Sequence, residues 1–187
     1  MSALLDGIMG QLGSEGIGQI SKSLGADEGV IGSAIEAALP AILGGMANNT
    51  QNQNGAESLS NALNDHDVSI FGQLGELLGS GGADGAKILG HVLGQRQPYV
   101  EKKVANSSGV NLELIMKLLP ILAPLVMGYL SKEKKSKGLD SGSIGDVLRG
   151  EREQEEKRNP GLGGLASILD ADGDGSILDD VLGKLLG

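Results

Sequence analysis

Residues 30–46, VIGSAIEAALPAILGGM, carry the pattern that decides the fold class. Apolar side chains recur there as a doublet every four residues, which is the spacing of one face of an α-helix. The intervening positions are mostly Gly, Ala and Ser, and Glu36 is the single charge. A helix with small or apolar residues on all sides is usually buried. The segment therefore predicts a core helix, capped at Asp27 and kinked or interrupted at Pro40.

A second segment of the same kind, LELIMKLLPILAPLVMGYL, spans residues 112–130. Its apolar residues again follow helical spacing, and Pro120 and Pro124 lie inside it. Signals for β-strands are weak throughout the chain. We therefore predict an all-α, multihelical domain.

The two segments are parts of an internal repeat. Residues 4–11, LLDGIMGQ, align with residues 88–95, ILGHVLGQ. A gap of four residues, placed after the aligned glycines 25 and 109, then brings Pro40 onto Pro120. The alternative is chance agreement among abundant Gly and Leu. Because the landmarks match in order, we favour duplication, which predicts two similar helical units around one core.

Composition divides the chain into three parts. Residues 1–130 form the duplicated helical domain, in which Asn54 with Glu57 reads as a capping box for a short helix. Residues 131–159 are rich in charge and are predicted to be a linker with one short polar helix. Residues 160–187 turn Gly- and Leu-rich, which predicts a helical hairpin around an acidic turn.

Overall composition limits the classes of function. The chain has 187 residues with 32 glycines, a net charge of −9, two Tyr, one Phe, no Trp and no Cys. An acidic chain repels phosphate, and few aromatic rings are present to stack on bases, so no nucleic-acid partner is expected. The uninterrupted apolar run of residues 118–129 is shorter than a membrane span needs, and no leader peptide is visible. We expect a soluble, cytoplasmic protein without a membrane span.

Three sequence motifs resemble the YidB-like family of bacteria, which is catalogued as a domain of unknown function. The motifs are LGAD at residues 24–27, ALPAILGG at residues 38–45 and ILGHVLG at residues 88–94. The resemblance covers most of residues 1–130. It implies an all-helical fold and a bacterial source, and it carries no activity, ligand or catalytic residue with it.

Residues 170–177, DADGDGSI, are the sharpest chemical motif. An EF-hand-type calcium loop places oxygen ligands at positions 1, 3 and 5, a glycine at 6 and a backbone carbonyl at 7. Position 12, which should be a bidentate carboxylate, is Val181 here. The candidate calcium ligands are Asp170, Asp172, Asp174, Ser176 and Asp180, the last as a substitute for the missing carboxylate. The alternative is an acidic turn between two helices without metal.

Signals for catalysis are poor. His91 on an apolar helix reads as a satisfied core or surface histidine, and His66 in a polar turn reads as a cap. Glu36 and Glu113 are isolated carboxylates. They could form an acid/base pair only if the fold brings them together. We predict no enzyme, no catalytic residue and no cofactor-binding residue.

Two functions remain. The first is a structural or protein-interaction module that binds a protein partner or self-associates through its apolar helices. The alternative is a calcium-responsive module in which the metal orders the C-terminal tail. The tail carries one apolar stripe, formed by Ile177, Leu178, Val181, Leu182, Leu185 and Leu186.

Overall fold

The structure, a computed structural model, describes residues 3–158, and over that range it is built from α-helices and short 3₁₀ turns without a strand. This confirms the predicted all-α class. The α-helices are α1 (Ala3–Leu24), α2 (Glu28–Asn49), α3 (Gln53–Ala62), α4 (Leu74–Gly79), α5 (Ala83–Leu93), α6 (Gln97–Ser108), α7 (Leu112–Lys137) and α8 (Ser141–Arg158). Three 3₁₀ turns lie at Leu63–Asp65, Val68–Phe71 and Gly94–Arg96.

The two apolar segments become α2 and α7, which form the centre of the core. Ile35 and Leu39 of α2 and Leu119 of α7 are 0% exposed. Helix α2 contacts α1, α5, α6, α7 and α8, and α7 contacts α1, α2, α5 and α6. Burial of these aliphatic faces is the main favourable contribution to folding.

The prolines lie inside these core helices. Pro40 lies within α2, and Pro120 and Pro124 lie within α7. Because Pro124 has no N–H, the carbonyl of Pro120 lacks its usual helical donor. That carbonyl faces α5, where a Cβ built on Gly85 would lie 1.6 Å from the Pro120 oxygen. Only a glycine lets α5 approach α7 this closely.

Helix starts follow the expected residue types, with one shift in position. Asp27 is the N-cap residue of α2, although its side chain makes no cap hydrogen bond. The capping box predicted at Asn54 is wrong, because α3 begins at Gln53 and Asn52 is its N-cap. The Asn52 side chain accepts the Gly55 backbone N–H at 2.8 Å. The side-chain oxygen of an N-cap asparagine accepts a backbone N–H in the first turn of the helix. Here that N–H belongs to Gly55, so Asn52 rather than Asn54 caps α3.

Residues 131–158, predicted to be mostly linker, hold the end of α7 and the 18-residue helix α8. Helix α8 packs on α2 and α3. Its Ile144 and Leu148, four residues apart, are 3% and 0% exposed, whereas Asp146, Glu153 and Lys157 are exposed. Two buried aliphatic side chains on one face are enough to dock a helix whose overall composition is polar.

Two helices, α2 and α7, are long and apolar enough to cross a membrane by length and composition. In α7, 78% of the apolar window is buried inside the fold, and in α2 the share is 50%. Core packing therefore accounts for the apolar character of most of α7.

Candidate functional site

An open, largely apolar cleft of about 590 Å³ lies between α3 and α5, with α2 and α7 at its base. Met46 of α2 and Met127 of α7 are 1% and 3% exposed. The remaining lining residues are Asn49, Gly55, Ser58, Leu59, Ala62, His66, Lys87, Ile88, His91 and Val92. A volume of this size falls in the range of about 300–1,000 Å³ that is typical of ligand sites.

Glycines bring the two walls of the cleft against α2. A Cβ on Gly55 would lie 1.7 Å from the Asn49 carbonyl oxygen, so α3 approaches the end of α2 at backbone distance. A Cβ on Gly45 would lie 2.9 Å from a methyl carbon of Val92, which places α5 against the same part of α2. The cleft is the space left between two helices that both approach α2 through a glycine.

Asn49 joins α2 to the C-terminal end of α5. Its side-chain amide donates to the carbonyl oxygens of His91, at 2.8 Å, and Val92, at 3.2 Å. Carbonyls in the last turn of a helix have no intrahelical donor, so the amide satisfies them. This anchor holds His91 at the cleft.

The two histidines of the chain both line the cleft, although 24 residues separate them in the sequence. His66 follows the 3₁₀ turn after α3, and its Nδ1 lies 2.8 Å from the Ala62 carbonyl oxygen. Because a carbonyl oxygen only accepts, Nδ1 of His66 carries a proton and donates it to Ala62. His91 lies on the outer part of α5 and is exposed.

The lining of the cleft lacks the acidic side chains that dominate the rest of the chain. Acidic residues outnumber Lys and Arg by 24 to 15 over the sequence. The lining residues include Lys87 and two histidines but no Asp or Glu. Lys87 Nζ lies 3.1 Å from Asp84 Oδ1, in a pair whose side chains are 77% and 84% exposed. Such an exposed pair contributes little, so the lysine can exchange it for another anion.

The sequence did not predict the cleft. Each histidine was interpreted from its own neighbours in the sequence, and nothing indicated that the two lie in one cleft. His66 ends a turn, as its predicted role as a cap implies, and His91 is a surface residue. Of the two isolated carboxylates, Glu113 pairs with Lys117 at 2.7 Å and Glu36 is exposed on α2. The lysine holds the pKa of Glu113 below its usual value, through a hydrogen bond and its positive charge.

The candidate calcium ligands, residues 170–180, lie outside the described residues, so the metal site stays a prediction. Among residues 3–158, no group of three or more His, Asp or Glu side chains is arranged to hold a metal ion.

Calcium should move the amide chemical shifts of residues 160–187 in the millimolar range if the loop binds it. With Val181 in place of the bidentate carboxylate, we expect a dissociation constant of ~10⁻⁴ M. Asp172→Ala combined with Asp174→Ala should abolish the shifts, since two of the three leading ligands are lost. If calcium does not move these chemical shifts in the original chain, the calcium hypothesis is rejected and the alternative of an acidic turn without metal stands.

Comparison with known proteins identifies one family. No curated protein and no solved structure matches the chain. The bacterial protein family of unknown function DUF937 matches residues 6–133, which confirms the family resemblance seen in the sequence motifs. The cleft, from Met46 to Met127, lies wholly within the matched region. Because the match spans more than half of the 187 residues, the chain belongs to the bacterial DUF937 family, whose function is unknown.

Proposed function

We propose that this chain is a non-catalytic, cytoplasmic protein-interaction module whose cleft holds an amphipathic, acidic helix of a partner protein. The observation that carries the proposal is an apolar cleft whose lining holds Lys87 and two histidines but no acidic side chain, in a chain of net charge −9. An amphipathic helix binds such a groove by placing its apolar face against the floor and walls. Acidic side chains beside that face would meet Lys87, His66 and His91.

The floor of the cleft supports a peptide rather than one rigid small molecule. Met46 and Met127 are flexible and polarizable, so they adapt to apolar side chains of different shape. The cleft is partly open to solvent rather than enclosed. A helix could therefore lie along the groove.

The chemistry of the lining supports binding without catalysis. Ser58 is the single hydroxyl side chain among the lining residues, and none of them is a carboxylate that could orient a histidine as a general base. Nucleophilic catalysis needs a nucleophile, a base and a group that orients the base. The cleft supplies two of these residue types and lacks the third.

We further propose that the domain arose by duplication of a unit made of one helical segment, α1 in the first copy and α5 with α6 in the second, followed by a long core helix. Gly25 and Gly109 both end their helices in the left-handed conformation, with φ of 68° each. Two residues on, Asp27 and Asn111 are the N-cap residues of α2 and α7. Gly109 lies 84 positions after Gly25, and Asn111 lies 84 positions after Asp27.

The burial pattern supports the same constant offset without a gap. Each of the nine buried positions of α2 falls on a buried position of α7 when 84 is added to its number. Pro40 then corresponds to Pro124 rather than to Pro120, which removes the gap inferred from the sequence landmarks. Superposition of residues 14–49 on 98–133 in a crystal structure tests the duplication, and units that do not superpose would reject it.

Binding at the cleft can be measured with two designed 14-residue peptides, each with a leucine stripe at helical spacing. One carries Glu on its polar face and the other carries Lys. The ring proton resonances of His66 and His91 report on the cleft directly, because the chain has two histidines and both line it. We expect the Glu peptide to shift both resonances and the Lys peptide to leave them unchanged.

A matched pair of variants on α3 tests the location. Ser58→Glu adds a negative charge to the lining, whereas Asn61→Glu adds the same charge at an exposed position outside it. Ser58→Glu should weaken binding of the Glu peptide about fivefold, the effect of one exposed charge pair worth roughly 1 kcal/mol. Equal affinities of the two variants would reject the cleft as the binding site. Light scattering of the unliganded chain separately tests self-association.

A further inference from the structure

We propose that the C-terminal segment, residues 176–187, occupies the cleft of its own chain and competes there with the partner helix. This inference rests on the proposed function, because it assigns the same cleft an internal competitor. The segment lies outside the described residues, so its chemistry is read from the sequence.

The segment has the composition that the cleft favours. Its apolar residues, from Ile177 to Leu186, recur at helical spacing, and Asp179 and Asp180 lie between them in the sequence. Upstream, residues 170–174 add three more aspartates. An apolar stripe beside carboxylates complements a groove with Leu, Ile, Val and Met side chains and a rim of Lys87, His66 and His91.

Helix α8, which precedes the segment, shares two neighbouring helices with the cleft. It packs on α2 and α3, and both of these helices also line the cleft. Arg152 Nη1 donates to Asn48 Oδ1 at 2.8 Å, and the next residue of α2, Asn49, is a lining residue. Arg158 ends α8 about 9 Å further along the helix axis, at 1.5 Å per residue. The chain thus leaves the described fold from a helix that packs on two of the helices lining the cleft.

The length of the connection allows the segment to reach the cleft. The 17 residues from 159 to 175 can span up to roughly 56 Å at about 3.3 Å per residue. A domain of this size has a radius of gyration of roughly 15 Å. A tethered segment also acts at an effective concentration in the ~millimolar range. Even a weak contact is therefore populated within the same chain before a second copy competes for it.

A paramagnetic label on the tail tests the contact in the full chain. The sequence has no Cys, so Gly183→Cys provides a single attachment site. The label should broaden the amide signals of Ser58, Leu59 and Ile88 and the ring signals of both histidines. Leu182→Asp with Leu185→Asp should remove the broadening, while Leu182→Met with Leu185→Met should retain it. These substitutions lie outside the described core, so the domain stays folded.

Four outcomes separate this inference from the proposed function. Broadening, together with roughly tenfold tighter binding of the Glu peptide to the double Asp variant, supports the inference. If the label causes no broadening and the original and variant chains bind the Glu peptide with equal affinity, the inference is overturned and the proposed function stands. If the peptide fails to bind even the double Asp variant, the proposed function is overturned. Broadening that appears only between a labelled chain and a second, isotope-enriched chain overturns the intramolecular claim.

Discussion

Replacing Leu119 with alanine should lower the free energy of unfolding by about 2–5 kcal/mol, the range for deleting a fully buried leucine side chain. Leu119 is 0% exposed at the centre of α7. The loss has two parts, the transfer of the removed methyl groups and the cavity that the neighbours fill only in part. Denaturant unfolding followed by circular dichroism measures the change.

Met116 provides the control on the same helix. It is 51% exposed, so Met116→Ala removes a side chain that the core does not surround. We expect a change within about 0.5 kcal/mol. Equal effects of the two substitutions would contradict the placement of the α7 face that packs into the core.

Gly85→Ala should destabilise the fold by about 1–3 kcal/mol or more, because the new methyl group has no room. A Cβ there would lie 1.6 Å from the Pro120 carbonyl oxygen and 2.5 Å from its carbon. These are backbone atoms of a core helix, so relief requires α5 and α7 to move apart. The thermal midpoint should fall accordingly.

Gly90→Ala, on the same helix, should have the opposite sign. Gly90 is exposed, and nothing lies within 4 Å of its added Cβ. Alanine in a helix interior is favoured over glycine by about 0.5–1 kcal/mol, so this variant should be more stable than the original chain. A Gly85→Ala variant as stable as Gly90→Ala would mean that α5 does not approach α7 at Pro120.

The core helices could be read from the sequence because their signal is local. Apolar doublets every four residues predicted α2, and apolar residues at helical spacing predicted α7. Helix α8 was less visible, since Ile144 and Leu148 carry its docking in a mostly charged segment. The many charged residues of such a segment reflect the face of the helix that contacts solvent. They make two buried aliphatic residues on the opposite face hard to recognise in the sequence.

The family and the all-α class were therefore determined by the sequence, through periodicity, capping residues and local motifs. The cleft was decided only by tertiary structure. Its lining comes from α2, α3, α5, α7 and the turn at His66, and no spacing along the chain links His66 to His91. The walls are positioned by Gly45 and Gly55, which look in the sequence like any of the 32 glycines. A glycine's role in close packing depends on which backbone faces it, and that is set by the packing of distant helices rather than by neighbouring residues.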